Sequence, residues 1–355
     1  MPIPTLPGIT AKTITSPRIT TRVLFFGPED GIPVLFLHGN ASSATYWEEI
    51  MTMLPAGYRG IAPDQRAYGD ADRAKKIDAT RGMGDLADDA IALLDTLGYD
   101  KVHVAGHSLG GSVVWRLLAD YPQRFLTATV VCPGSPYGYG GTKDINGTPT
   151  FPDFAGSGGG TVNTAFAQRM SEGDRSLDNP QSSPRGVMNG FYWKPPFVPP
   201  REEDLLSSIL AAHVGPEDYP GDHVASTNWP GVAPGVLGPT NGLSPKYVGD
   251  YVQRFITAPY KPAILWVRGS HDLIISDQSL LEFGTLGSLG YIPGWPGMEI
   301  YPPQPMVSQT RAVLNSYAAN GGQYQEIVMQ DTGHSPYIER PDEFNGYFVA
   351  QLGAK

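Results

Sequence analysis

The sequence predicts an α/β fold: a mostly parallel central sheet with helices on both faces, interrupted by one long inserted segment. Continuous apolar runs such as Pro33-Val34-Leu35-Phe36-Leu37 suit parallel strands covered on both sides. These runs alternate with segments of helical apolar spacing, in the order strand, helix, strand, helix, strand. From Pro133 to Lys261 the composition shifts to Gly, Pro, Asn and Ser, and the alternation resumes only at Pro262.

Taken in order, Thr10 to Ser16 and Arg18 to Phe26 read as two antiparallel strands separated by Pro17. The run Pro33 to Leu37 ends in the loop His38-Gly39-Asn40-Ala41-Ser42-Ser43, before a helix expected from Thr45 to Leu54. Arg59 to Asp64 is the next strand. A helical stripe follows from Met83 to Leu97, with Gly98 as its C-cap. Phe125 to Cys132 is another buried strand. Within the inserted segment, Asn163 to Met170, Glu202 to Ala212 and Tyr247 to Ile256 are helix candidates. These helices and the aromatic residues Phe191, Tyr192 and Trp193 argue against a disordered linker. Beyond the strand Pro262 to Gly269, a short helix is expected at Ser276 to Phe283, then a proline- and glycine-rich excursion from Gly284 to Pro305 and a helix from Ser308 to Ala319. A strand at Tyr324 to Met329 and a helix at Pro341 to Leu352 complete the chain.

The 355 residues are 41% hydrophobic and 17% charged, enough apolar material for a sizeable core. A net charge of −10 argues against nucleic acid and anionic membrane surfaces as partners. Cys132 is the single cysteine, so no internal disulfide can form. The N-terminus, M-P-I-P-T-L-P-G-I-T, has no basic region followed by an apolar run, and no stretch is long enough to span a bilayer. A cytoplasmic location is therefore expected. With one cysteine and no H-E-x-x-H spacing, no metal is expected. No phosphate loop or dinucleotide fingerprint occurs, so no cofactor is expected either. Nothing in the sequence bears on oligomeric state.

The chemistry centres on Val102 to Gly111, V-H-V-A-G-H-S-L-G-G. A strand end, the pattern G-x-S-x-G at 106–110 and a helical run from Ser112 to Ala119 supply the context of a nucleophile elbow. The glycines are needed because a side chain bearing a β-carbon would collide in so tight a turn. The helix start after Ser108 brings free backbone N–H groups and a positive dipole end beside its hydroxyl.

G-H-S-L-G-G, H-G-N-A, G-S-H-D and D-T-G-H-S-P-Y-I-E-R-P-D-E-F together resemble the α/β-hydrolase superfamily, as a serine hydrolase with a large cap domain. The likeness covers 1–133 and 262–355, which it implies are the core, with 134–261 as the cap or lid insertion. It implies Ser108 as nucleophile and, by the order Ser, acid, His, His334 as general base. Asp272 falls after the seventh strand, the usual place of the acid. Asp331, three residues before His334, is its rival. Some relatives carry the acid after the sixth strand, which here ends in Val131-Cys132-Pro133 without a carboxylate. The expected oxyanion donors are the N–H groups of Leu109 and Asn40. Of the other histidines, His38 belongs to the oxyanion loop, His107 precedes the nucleophile, and His103 points into sheet packing. His213 and His223 lie in the insertion, and His271 precedes the acid.

A Ser-His-Asp site implies acyl transfer to water. The expected reaction is hydrolysis of a carboxylic ester or lactone of a hydrophobic small molecule, with Tyr137, Phe191, Tyr192, Trp193 and Trp229 as candidate substrate-lining residues. A carbon–carbon hydrolase of the meta-cleavage type would use the same triad. An amidase or aminopeptidase would need an acidic subsite, for which Glu202, Glu203 and Asp204 are available. From another class, a ligand-binding receptor on a hydrolase fold is the alternative. Haloalkane dehalogenases and epoxide hydrolases require an aspartate where Ser108 stands.

Overall fold

The computed structural model describes residues 3–354; Met1, Pro2 and Lys355, the ends of the chain stretches considered above, lie outside the described residues. Eight strands form one sheet: β1 (Thr10–Thr15), β2 (Thr20–Phe26), β3 (Ile32–Leu37), β4 (Tyr58–Pro63), β5 (Val102–His107), β6 (Phe125–Val131), β7 (Ala263–Gly269) and β8 (Tyr324–Met329). Their spatial order is β1-β2-β4-β3-β5-β6-β7-β8. The pairs β1–β2 and β2–β4 are antiparallel, and every pair from β4–β3 onward is parallel. All of β5 is buried, as are Val34 to Leu37 of β3, because helices cover both faces.

The chain passes from β3 outward to β4, then returns across β3 to β5, so the order of travel reverses between β3 and β5. Ligands of open α/β sheets bind at the carboxyl ends of strands at such a reversal. Here those ends are Leu37 and Gly106, paired in register, followed directly by His38-Gly39-Asn40 and His107-Ser108.

The helices include α1 (Gly84–Leu97), α2 (Leu109–Asp120), α3 (Thr164–Ser171), α4 (Glu202–Leu210), α5 (Tyr251–Thr257), α6 (Phe283–Ser288), α7 (Met306–Ala319) and α8 (Pro341–Leu352). Gly98 ends α1 at φ 79°, the left-handed cap that glycine adopts without a Cβ penalty. Between β6 and β7 the chain is ordered, and Met188, Trp193, Leu206 and Ile209 join the hydrophobic core. Its last helix, α5, packs beside the sheet: Phe255 meets Trp115 of α2 at 5.6 Å between ring centroids and stacks on Tyr317 of α7 at 4.6 Å.

Two expectations are corrected. The helix expected at Ser276 to Phe283 is a series of turns, and the helix begins where that one should end. Asp272 Oδ1 accepts the N–H groups of Ile274 and Ile275, and Asp277 accepts those of Val307 and Ser308, so both carboxylates are committed to turns and to another helix's start. Glu282 then caps α6 by accepting from Gly284 and Thr285. The single helix expected at Thr45 to Leu54 is a 3₁₀ turn, Ala44–Trp47, followed by a short α-helix, Glu48–Thr52. No helix among the described residues is long and apolar enough to cross a membrane.

Candidate active site

Every residue from Val102 to Gly111 is buried except Ser108, which is half-buried. Ser108 sits at φ 54°, ψ −117°, a conformation that side-chain-bearing residues rarely adopt. Close packing holds it there. A β-carbon on Gly106 would fall 2.3 Å from the Gly110 carbonyl oxygen, and one on Gly110 would fall 2.2 Å from that of Leu37. The Ser108 N–H donates to the Val131 carbonyl oxygen at 2.9 Å, tying the turn to the end of β6. Leu109 is the first residue of α2, so its N–H has no carbonyl one helical turn back to meet.

His334 follows β8 and Asp272 follows β7; both are buried. His334 Nδ1 and Asp272 Oδ2 lie 2.9 Å apart. The carboxylate accepts, so Nδ1 carries the proton and Nε2 is left with the free lone pair. With Ile274 and Ile275 donating to Oδ1 at 2.8 and 3.0 Å, the carboxylate is fixed by three donors. Asp331 is exposed and engages Lys194 and Arg340 instead of His334. Of these two carboxylates, Asp272 is the one that bonds His334.

The other histidines have separate partners. His38 Nε2 accepts from the Gln65 N–H at 2.9 Å, so its Nδ1 donates to Gly39 O, and burial lowers its pKa to about 4. His103 bonds Thr127 Oγ1 at 2.8 Å, and burial likewise lowers its pKa to about 4. His213 bonds Gly69 O, His271 bonds the neighbouring Ser270 hydroxyl, and His223 is exposed. The sequence gives His107 no role beyond its place directly before Ser108. Its Nε2–H donates to the carbonyl oxygen of His334 at 2.9 Å, and burial, with His334 nearby, drives its pKa well down.

The loop after β3 lies against the elbow: a β-carbon on Gly39 would fall 3.0 Å from His107 Nδ1 and 3.1 Å from Ser108 Cβ. Among the described residues, no acceptor meets the Asn40 N–H. Its side-chain oxygen accepts from the Ala41 N–H and from the Tyr68 hydroxyl. Gln65 Nε2 donates to His38 O at 2.7 Å, and Tyr192 donates to the carbonyl oxygens of Asn40 and Ala41 at 3.3 and 3.2 Å. Gln65, Tyr68 and His107 carry no local signal of these contacts, because their partners are distant in sequence.

The five candidate lining aromatics do not form one group. Tyr192 and Trp193 are buried beside each other, with ring centroids 6.3 Å apart, and Phe191 is half-buried next to them. Trp229 instead packs edge-on to Tyr301 at 4.7 Å and Phe283 at 6.0 Å, and donates to Pro293 O. Tyr137 is half-buried and packs against Gly147.

Cys132, directly after β6, is buried, and its sulfur lies within 4.8 Å of ligand-type atoms of Asp272 and His334. Burial and the Asp272 carboxylate push its pKa well up, so it stays a protonated thiol beside the acid. It occupies the place after the sixth strand where the sequence offered no carboxylate.

A family model described as the α/β-hydrolase fold matches residues 32–172. An AB hydrolase superfamily protein of Bacillus subtilis, YfhM, is 37% identical over 117 residues, covering 33% of this chain and 41% of that one. The chain thus spans about two fifths of the length of that relative. A protein named as an uncharacterized carboxylesterase, nap, of the same organism is 27% identical over 258 residues, covering 67% of this chain and 83% of that one. Among solved structures, a serine hydrolase from the polyaromatic hydrocarbon-degrading bacterium Cycloclasticus zankles aligns with a TM-score of 0.60 at 15% identity, covering 98% of this chain and 100% of that one. The fold is the α/β-hydrolase fold, and residues 32–172 are similar to the family of that name.

Proposed function

We propose that this protein hydrolyses a carboxylic ester or lactone of a hydrophobic small molecule, with Ser108 as nucleophile, His334 as base and Asp272 as acid. The observation that carries the reading is the 2.9 Å bond from His334 Nδ1 to Asp272, which leaves Nε2 free to take a proton. The half-buried Ser108 on its strained turn and the unpaired N–H groups beside it support the reading further. Ser108 Oγ attacks the carbonyl carbon while its proton passes to His334 Nε2, and Asp272 stabilises the imidazolium. The oxyanion receives the N–H groups of Leu109 and Asn40. Collapse expels the alkoxide, which takes the proton from His334. Water then attacks the acyl-enzyme by the same route, releasing the acid and restoring Ser108.

Residues 134–261 act as the cap in this reading, with Phe191, Tyr192 and Trp193 among the candidate residues that line the substrate. Support comes from the Tyr192 hydroxyl, which reaches the candidate oxyanion loop from that segment. The test is turnover of a panel of aryl esters and lactones by the wild type and Ser108→Ala. Turnover lost in the variant is expected; a wild type inert on the whole panel and unreactive toward fluorophosphonates sinks the proposal.

A further inference from the structure

Two loops that the proposed chemistry needs in register come from opposite ends of the chain: Gly39–Ala41, with the Asn40 N–H, and Asp331–Ser335, with His334. Neither donates a hydrogen bond to the other. Both are held by one short piece of the inserted segment, Tyr192-Trp193-Lys194. At one end of this piece the Tyr192 hydroxyl donates to the carbonyl oxygens of Asn40 and Ala41. At the other, the connection runs through Glu339. Its Oε1 accepts the Gly333 N–H at 2.6 Å, and its Oε2 accepts the Lys194 N–H at 3.0 Å.

We propose that Glu339 is a positioning residue: its carboxylate fastens the loop carrying His334 to the docked 192–194 segment, and so holds the base in register with the oxyanion loop. The inference rests on His334 being the base.

The geometry leaves little freedom at this joint. A β-carbon on Gly333 would fall 2.7 Å from both Lys194 N and the Trp193 carbonyl carbon, and one on Gly269 would fall 1.9 Å from Gly333 O. Gly333 is therefore pressed between the end of β7 and the inserted segment, immediately before His334. An ionised carboxylate can accept from two converging N–H groups at once; an amide of the same shape turns its NH₂ toward one of them. The half-buried Glu339 is pushed up to about 7 chiefly by burial, with Asp272 adding to the shift and the two N–H groups and Arg340 opposing it. Burial thus opposes the ionised form that the two N–H groups favour. The ion pairs of Asp331 with Lys194 and Arg340 lie at the surface of the same joint and contribute less.

The full chain, wild type and Glu339→Gln, is titrated with a fluorophosphonate, reading the maximal rate of Ser108 labelling and the half-saturating concentration separately. The His334 Nδ1 proton is followed by NMR in both proteins. Loss of one charge-assisted hydrogen bond predicts a maximal rate roughly tenfold lower, with the half-saturating concentration nearly unchanged and the Nδ1 proton shifted or lost. A variant that labels at the wild-type rate with an unshifted Nδ1 resonance overturns the proposal, even if its melting temperature falls. A wild type that is not labelled at all counts against the hydrolase reading; the NMR comparison still decides the role of Glu339. Should the variant not fold, amide exchange in the wild type decides: Gly333 and Lys194 are expected to be protected together, and free exchange at either overturns the proposal.

Discussion

His107 Nε2 donates to the backbone carbonyl of His334 at 2.9 Å, joining the residue before the candidate nucleophile to the candidate base. The two rings lie 4.7 Å apart, and the backbone of His334 is thereby tied to the end of β5. The bond aligns the imidazole without using either of its nitrogens. His107→Phe keeps an aromatic ring and removes the donor, leaving the His334 carbonyl without it. A roughly tenfold slower labelling of Ser108 by a fluorophosphonate is expected, from one buried hydrogen bond lost. Unchanged labelling would show that β5 does not position the base.

The acid assignment is tested by a pair of substitutions. Asp272→Asn should lower kcat on aryl esters by a factor on the order of 10⁴, the loss known for the equivalent change in a serine protease triad. Asp331→Asn breaks only exposed ion pairs and should leave kcat near the wild-type value. The reverse ranking would transfer the role to Asp331.

His38 gives a pH dependence of stability with a definite sign. Its folded pKa is about 4, below the ordinary 6.5, because burial disfavours the imidazolium. The unfolded chain therefore binds the extra proton first. Stability from neutral His38 is fully present above about 6.5 and is lost as pH falls toward about 4. Urea unfolding between those values should show His38→Gln losing less stability on acidification than the wild type.

Glu339 has the opposite sign over an overlapping range. Its folded pKa is raised from 4.5 to about 7, so the folded state holds the proton more tightly than the unfolded one. Its contribution is greatest below about 4.5 and declines as pH rises through about 7. Glu339→Gln should flatten this decline in the same urea titrations; an unaltered slope would place the titration elsewhere.

Gly110→Ala tests the packing of the elbow. The added methyl would sit 2.2 Å from Leu37 O and 2.6 Å from His38 O, backbone atoms that cannot rotate away. A destabilisation on the order of 3 kcal/mol is expected from urea unfolding, typical of strong overpacking. Gly346→Ala, inside α8 with open space around its β-carbon, is the comparison and should stabilise by up to about 1 kcal/mol.

Much of this molecule is written locally. The apolar runs of β3, β5 and β6, the glycine that ends α1, and the tight turn around Ser108 each follow from a few neighbouring residues. Strand burial, left-handed caps and steric exclusion of a β-carbon all act over such short distances. The order Ser108, Asp272, His334 was legible too, through resemblance, and the 2.9 Å bond between the last two agrees with it. What the neighbours could not supply was the commitment of polar groups to distant partners. Ser276 to Phe283 has helical composition, yet Asp272 and Asp277 are spent on turns and on the start of α7, and the helix begins later. Trp229 sits in the inserted segment with the other aromatics, but packs on Phe283 and Tyr301. His107, Glu339 and Tyr192 meet their partners across 227, 145 and 151 residues of chain. The sequence by itself determined the strands and the tight turn around Ser108, because each is a short-range pattern, and it offered the candidate triad only through resemblance. Only the tertiary structure decided how the loops carrying Asn40 and His334 are held together, because that depends on which buried donors and acceptors the folded chain brings within bonding distance.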